Sequence, residues 1–248
     1  MKSFGLTDKG AYRKDNQDSY IIEKCNAKDC LIIALCDGMG GENAGELASQ
    51  LSNKAFVSYI YAKLTSRVNR PPDYRKMLLD ACAEANGVSY EYSQFDEAYH
   101  GMGTTLVGGV IKSSGHGYII NVGDSRAYQI SRRNDAITQI TRDHSLVEEL
   151  VEVGAITKEQ ARVHPKRNVI TRALGSDESV EADYFEVSLQ SGDMLIFCSD
   201  GLSNMVSDLE MLEYSKEYPE PELLCRALMS KALKRGAKDN VTVLAVMK

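Results

Sequence analysis

Two rhythms of apolar residues alternate along the chain. Runs of five to seven such residues, 31–36, 118–122, 194–198 and 241–247, are too short for core helices and predict buried strands. Residues 19–23 and 31–36 form the first predicted strand pair. Further strands are predicted over 104–111, 117–122, 126–130, 136–140 and 182–189. The connections around Ser113-Ser114-Gly115-His116, Gly123-Asp124-Ser125 and 132–135 are short enough to predict antiparallel neighbours. On that reading Asp124 sits in a hairpin turn.

Helical spacing appears between the strands. Ala44, Leu47, Ala48, Leu51 and Ala55 predict one buried face on a helix over 43–64, opened by an Asx-type capping box of Asn43 with Glu46. Arg70-Pro71-Pro72 interrupts the chain, and Asp73 caps a second helix carrying Met77, Leu78 and Ala81. Leu146, Val147, Leu150 and Val151 mark a short helix stopped by Gly154. Thr157 with Gln160 and Ser207 with Glu210 each predict a helix start, and a last helix occupies 219–234. Residues 164–175 are irregular and polar, as a segment covering a site would be. Strands in antiparallel blocks and helices in separate pairs give an α+β fold. It is a central β-sandwich of two antiparallel sheets flanked by α-helices, in four αββα layers.

Composition narrows the setting. The 248 residues contain no Pro-, Ser- or Gly-rich linker, low-complexity stretch or internal repeat, so one domain over 1–248 is expected. Met1-Lys2-Ser3-Phe4-Gly5 lacks the apolar stretch of a secretion signal. The longest apolar run falls short of the roughly 18 residues a membrane span needs. Six cysteines at 25, 30, 36, 82, 198 and 225 show no C-x-x-C and no framework spacing, which predicts a reduced, cytoplasmic protein. Cys25 and Cys30 read as a strand-turn pair. The net charge of −6 is spread along the chain, so neither a nucleic acid nor an anionic membrane is expected as partner. An acidic protein that handles phosphate would need metal ions to reverse the local sign.

Candidate chemistry sits where the apolar runs meet aspartates. Three runs lead into Asp37-Gly38, Gly123-Asp124 and Asp200-Gly201, and the fourth follows Asp239-Asn240. Any one Asp-Gly after a strand is most often only a turn. Together the four carboxylates offer oxygen ligands alone, with no His or Cys at zinc spacing, which favours Mg²⁺ or Mn²⁺. Gly38, Gly40 and Gly41 bend the backbone after Asp37 so that a carbonyl could also reach a cation. Two ions about 3.5–4 Å apart could activate a water and neutralise a phosphate. By itself Arg13 reads as a solvated charge. His144 and His164 read as a helix start and a residue before Pro165.

Eight motifs then follow in a fixed order. They are Arg13-x-x-Asn16-Gln17-Asp18, Asp37-Gly38-Met39-Gly40-Gly41, Gly103-Thr104-Thr105 and Asn121-Val122-Gly123-Asp124-Ser125-Arg126. Asp143-His144-Ser145-Leu146, Thr171-Arg172-Ala173-Leu174-Gly175, Ser199-Asp200-Gly201-Leu202 and Asp239-Asn240-Val241-Thr242 complete them. In these motifs the chain resembles the metal-dependent Ser/Thr protein phosphatases of type 2C, the PPM family, in their short bacterial form.

The resemblance implies roles for named residues. Asp37 would bridge two metals, with the Gly38 carbonyl on one and Asp200 and Asp239 on the other. Asp124 would join Asp200 at a third site. Arg13 would grip the substrate phosphate, as a planar guanidinium suits. Asp18 would hold metal-bound water with help from Thr105, and Asn240 would orient Asp239. The implied reaction is direct attack of a metal-bridging hydroxide on phosphoserine or phosphothreonine, without a phosphoenzyme. Residues 147–164 would form a flap over the site. A partner Ser/Thr kinase is the implied antagonist, and a monomer is the default.

Three positions depart from the family pattern. Gln17 stands where a Glu is usual, which removes one negative charge near the metals. Met39 replaces a histidine proposed as general acid, and Glu42 stands where many bacterial relatives carry a histidine, so that role stays unassigned. The alternative reading is a phosphoprotein-binding pseudophosphatase, which Gln17 alone favours. A hydrolase of small phosphate esters is a third reading, with no P-loop or aromatic cluster behind it.

Overall fold

A strand covered on both faces reads as an unbroken apolar run, and this chain covers its central strands from both sides. The computed structural model describes residues 1–41, 44–67, 71–95 and 97–248. Its first elements are β1 (Lys2–Asp8), β2 (Asp18–Cys25), β3 (Cys30–Met39), α1 (Ala44–Thr65) and α2 (Tyr74–Phe95). Next come β4 (Gly103–Thr104), β5 (Leu106–Lys112), β6 (His116–Val122), β7 (Arg126–Ser131), β8 (Ala136–Gln139), α3 (Leu146–Glu152) and α4 (Lys158–Val163). The last are β9 (Asp183–Ser188), β10 (Met194–Cys198), α5 (Asp200–Ser203), α6 (Asp208–Glu217), α7 (Pro221–Lys234) and β11 (Val241–Met247).

The strands form two antiparallel sheets, ordered β1-β11-β10-β7-β8 and β2-β3-β5-β6-β9, with β4 added to β3. Alternation along β3 shows the layering. Leu31, Ile33 and Leu35 pack with Phe197, Leu244 and Val246 of the other sheet. Ile32, Ala34 and Cys36 pack with Phe56, Ile60 and Leu78 of α1 and α2. On the far side, Ile196, Val243 and Ala245 meet Leu224 and Leu228 of α7. The predicted four-layer αββα order is the one observed. All six cysteines are buried and unpaired.

Side-chain caps open several helices. Thr157 with Gln160 and Ser207 with Glu210 make the expected capping boxes, while α3 is capped by Ser145 and not by the expected His144, the Ser145 hydroxyl accepting from the Glu148 N–H. The Asp73 carboxylate accepts from the Lys76 N–H. The Asn43 cap, Glu42 and Arg70 lie outside the described residues.

Several expectations are corrected. Residue 124 is not in a hairpin: β6 pairs with β5 and β9, whereas β7 pairs with β10 and β8. The turn therefore crosses from one sheet to the other, through Gly123 at φ +98°, a conformation that glycine adopts freely. Asp37 is not at a strand end, because β3 continues to Met39 by pairing Gly38 with Thr104. The strand expected over 104–111 breaks at Thr105. β1 was not expected; it holds Phe4 and Leu6 in alternation and pairs with the distant β11.

The buried face of α1 is also rotated from the expected one. Ala44 and Ala48 are buried as expected, but the face continues through Ser49, Ser52, Asn53, Phe56 and Ile60, while Leu47, Leu51 and Ala55 are only partly buried. Hydrogen bonds of Ser52 to Ser89 (2.7 Å) and of the Asn53 amide to Ser19 (2.5 Å) let polar residues occupy it.

Candidate active site

The inter-sheet core turns polar at one end, and the parity of its strands puts particular residues there. The row Leu31, Ile33, Leu35 continues to Asp37, and Asp18 lies directly opposite Asp37 on β2. From the facing sheet, the row containing Phe197 continues to Ser199, and the row of Val246 and Leu244 continues to Thr242. Asp18 Oδ2 accepts hydrogen bonds from Ser199 Oγ (2.8 Å) and Thr242 Oγ1 (2.6 Å). These bonds tie the two sheets together beneath the cleft. Neither Ser199 nor Thr242 was expected in the site, although both stand in the recognised motifs. Their register with the apolar rows was the available signal.

Four carboxylates line the opening. Asp37 comes from β3, Asp124 from the inter-sheet turn, Asp200 from the first residue of α5 and Asp239 from the residue pair before β11. Each keeps part of its surface open, as the floor of a cleft does. Burial, with repulsion from Asp18, Asp200, Asp124 and Asp239, pushes the Asp37 carboxyl well above its usual range. Burial first, then Asp124 and Asp239, raises Asp200 to about 8. Burial and Asp143 raise Asp124 to about 6, against the pull of Arg126. The same desolvation raises Asp18 to about 6, opposed by hydrogen bonds from Thr242, Ser199 and a protonated Asp37. With Asp37 ionised, Asp18 Oδ1 is a buried acceptor without a donor among the described residues.

Hydrogen bonds hold the strands that carry these carboxylates in place. Thr105 Oγ1 accepts from the Asp37 N–H (3.0 Å) and lies 2.7 Å from Ser125 Oγ. The Thr105 N–H in turn donates to the Asp37 carbonyl (2.9 Å). The break between β4 and β5 lets Thr105 bond this way. Arg126 grips Asp143 through Nε (2.9 Å) and Nη2 (2.7 Å), a largely buried pair beside Asp124.

Arg13 lies at the rim, with its side chain 54 % exposed and Nη2 2.8 Å from Asp239 Oδ2. That hydrogen bond, with the charges of Asp37 and Asp200, holds the guanidinium firmly protonated. Asn240 fastens the loop that carries Arg13. Its Nδ2 donates to the carbonyls of Lys9 and Asp15 (3.0 Å each), and its Oδ1 accepts from the Gln17 N–H (2.9 Å). The backbone N–H of Asn240, not its side chain, reaches Asp239 Oδ1 (2.9 Å). Gln17 uses its amide to donate to the Gly41 carbonyl (3.2 Å), a bond an ionised carboxylate could not make. A Cβ on Gly38 would stand 2.0 Å from the Gly45 carbonyl oxygen, so the backbone approach there needs glycine.

Every residue expected at the site falls at this end of the sandwich. A family model for protein phosphatase 2C matches residues 11–235. The chain belongs to the protein phosphatase 2C family. It is 38 % identical over 240 residues to the serine/threonine phosphatase stp of Listeria innocua, covering 97 % of this chain and 93 % of that one. The crystal structure of Stp1 from Staphylococcus aureus superposes with a TM-score of 0.89 at 35 % identity, over 99 % of this chain and 94 % of that one. The catalytic domain of the phosphatase PstP in complex with two manganese ions matches with a TM-score of 0.81 and 33 % identity, covering 98 % and 96 %. This chain is a serine/threonine protein phosphatase of the short bacterial kind, in a metal-dependent family. Among the described residues of the phosphatase, no helix is long and apolar enough to cross a membrane.

The site's donors suit hard cations, being carboxylate and carbonyl oxygens. Among the described residues no three His, Cys, Asp or Glu side chains close on a single point as a ready-made cage. Mutual repulsion of the carboxyls and the unpartnered Asp18 Oδ1 are what a divalent cation with its water would relieve, so the residues fit such a group.

Proposed function

We propose that residues 1–248 act as one domain that hydrolyses phosphoserine and phosphothreonine of protein substrates at the carboxylate cleft, opposing a Ser/Thr kinase. Asp37, Asp200, Asp239, Asp124 and the Gly38 carbonyl would hold two Mn²⁺ or Mg²⁺ ions and a third, the side chains closing by rotation. Such ions, when bound, neutralise the substrate phosphate and acidify water for direct attack on phosphorus.

The chain's own residues do the rest. Arg13 is already charged and half in solvent, so it can exchange Asp239 for a phosphate oxygen without crossing a buried region. Asp18 Oδ1, fixed by the two bonds to its partner oxygen, presents an acceptor to a water proton at the cleft floor. Thr105 and Ser125 keep the Asp37 backbone from shifting when its carboxylate is pulled outward. Residues 147–164, with α3 and α4, serve as a flap that selects substrates. The absence of nucleic-acid or membrane partners agrees with the dispersed charge, a cytoplasmic setting agrees with six unpaired cysteines, and a monomer is the default.

The observation that carries this reading is the gathering of four aspartates at one end of the sandwich, beside the unpartnered buried oxygen of Asp18. Phosphate release from a phosphothreonine peptide, with Mn²⁺ and again with excess EDTA, tests it. Release should require Mn²⁺. Release unaffected by EDTA, or none from folded protein at any Mn²⁺ concentration, would overturn it.

A further inference from the structure

The two sheets meet covalently at the Gly123-Asp124-Ser125 turn, and one buried side chain spans that seam. His144 is 4 % exposed. Its Nδ1 accepts the Gly123 N–H (3.2 Å), while its own backbone N–H donates to the Gly123 carbonyl (2.9 Å). The Asn121 amide gives the same carbonyl a second hydrogen bond (3.1 Å). Nε2 lies 3.3 Å from Asp183 Oδ2 and 3.4 Å from Arg172 Nη1, a nitrogen that can only donate and that also stands 3.3 Å from the other oxygen of that carboxylate. A backbone N–H can only donate, so the ring must leave Nδ1 bare and carry its proton on Nε2, pointed at Asp183.

We propose that His144 is a positioning residue, whose ring acceptor fixes the backbone of Gly123 and so aims the adjacent Asp124 carboxylate into the cleft. The proposal rests on the reading of Asp124 as a metal ligand. Gly123 has φ +98°, and a Cβ there would stand 2.6 Å from Thr105 Cγ2, so no side chain can fix the turn from within. Both of its backbone polar groups are instead held from outside, and His144 supplies a bond to each. The carbonyl of His144 also accepts from the Thr171 N–H (2.8 Å), and Ser145 caps α3. His144 thus fastens the seam to the irregular segment after the flap, and its neighbour Ser145 fastens the flap's first helix.

An asparagine at 144 can place an acceptor near the Nδ1 position, whereas a glutamine places its amide near Nε2 and leaves Gly123 unmet. Mn²⁺ titration of the full chain by calorimetry, without substrate, reads the difference. Asp124→Asn should remove one class of bound ion, which tests the ligand reading alone. His144→Gln should weaken that same class about tenfold, the worth of one buried hydrogen bond, with the other ions unchanged. His144→Asn should recover most of that loss. Equal losses in the two variants, or native affinity in His144→Gln, would overturn the proposal. Should Asp124→Asn bind every ion as the native chain does, the ligand role falls and the proposal with it. A readout on the native chain covers variants that fail to fold. Nitrogen-15 NMR of the His144 ring, with Mg²⁺, should show a bare Nδ1 and a protonated Nε2. A protonated Nδ1 near neutral pH would overturn the proposal.

Discussion

Asp200→Asn should stabilise the metal-free phosphatase at alkaline pH and abolish its stabilisation by Mn²⁺. Asp200 stands among Asp124, Asp239 and Asp18, and burial with those charges raises its pKa from 3.8 to about 8. One unit of pKa is ~1.36 kcal/mol, so ionising this carboxyl in the folded chain costs up to about 5 kcal/mol near pH 8. Neighbouring carboxyls share protons and ionise further once one charge is gone, which leaves a net gain of about 2 kcal/mol. The amide oxygen of an asparagine can keep the hydrogen bond that Asn204 Nδ2 gives to Asp200 Oδ2 (3.1 Å).

The pH dependence has a definite sign. The folded pKa lies above the unfolded one, so the folded chain holds the extra proton between the two values. This group's stabilisation is therefore complete below about pH 4 and is lost as pH rises through about 8. The gain from the substitution should be largest at the alkaline end and fade toward about pH 5. For a chain of this length, about 2 kcal/mol is roughly 4–8 °C in Tm. Thermal unfolding in EDTA across that range measures it. In Mn²⁺ at a hundredfold excess over Kd the native chain gains ~2.7 kcal/mol and the variant little, so the order reverses. A variant less stable than the native chain in EDTA near pH 8, or a difference that ignores pH, would refute the reasoning.

Three further outcomes follow from the same geometry. Arg13→Ala should lower kcat/KM for phosphopeptides roughly 10- to 150-fold, the worth of about 1.5–3 kcal/mol for hydrogen bonds to a charged group. Lysine at that position should recover only part of it, and steady-state kinetics on both variants decides. Thr105→Val leaves the Asp37 N–H and the Ser125 hydroxyl without their partner, so denaturant unfolding should show a loss of ~1–3 kcal/mol. Gly38→Ala would place a Cβ 2.0 Å from the Gly45 carbonyl oxygen and 2.6 Å from that of Gln17. Separating β3 from α1 to make room should cost at least about 1–3 kcal/mol, and an unchanged denaturation midpoint would contradict the close approach.

The chemistry of the cleft was legible because its carboxylates interrupt apolar rows. Asp37 continues the inward row of Leu31, Ile33 and Leu35, so parity along one strand already points it into the sandwich end. Parity likewise marks Ser199 after Phe197 and Thr242 before Leu244. A hydroxyl ending an apolar row is ambiguous until its partner is known. Their partner is Asp18, which is 181 residues from Ser199 and 224 from Thr242. His144 was illegible for the same reason, since its ring bonds join residues 21 and 39 positions away.

What the sequence alone determined is local: strand and helix types, the apolar rows, the capping boxes at Thr157 and Ser207, and the aspartates that end or precede those rows. Hydrophobic period and cap chemistry act within a few residues and need no partner to be read. Tertiary structure decided the partners. It set Gly123-Asp124 across two sheets instead of in a hairpin, and seated β1 beside β11 at the other end of the chain. It also turned α1 so that Ser52 meets Ser89. Short loops fix how far a strand can travel, not which sheet receives it. That choice depends on burying both faces of β3 at once, a balance of contacts spread over the whole chain.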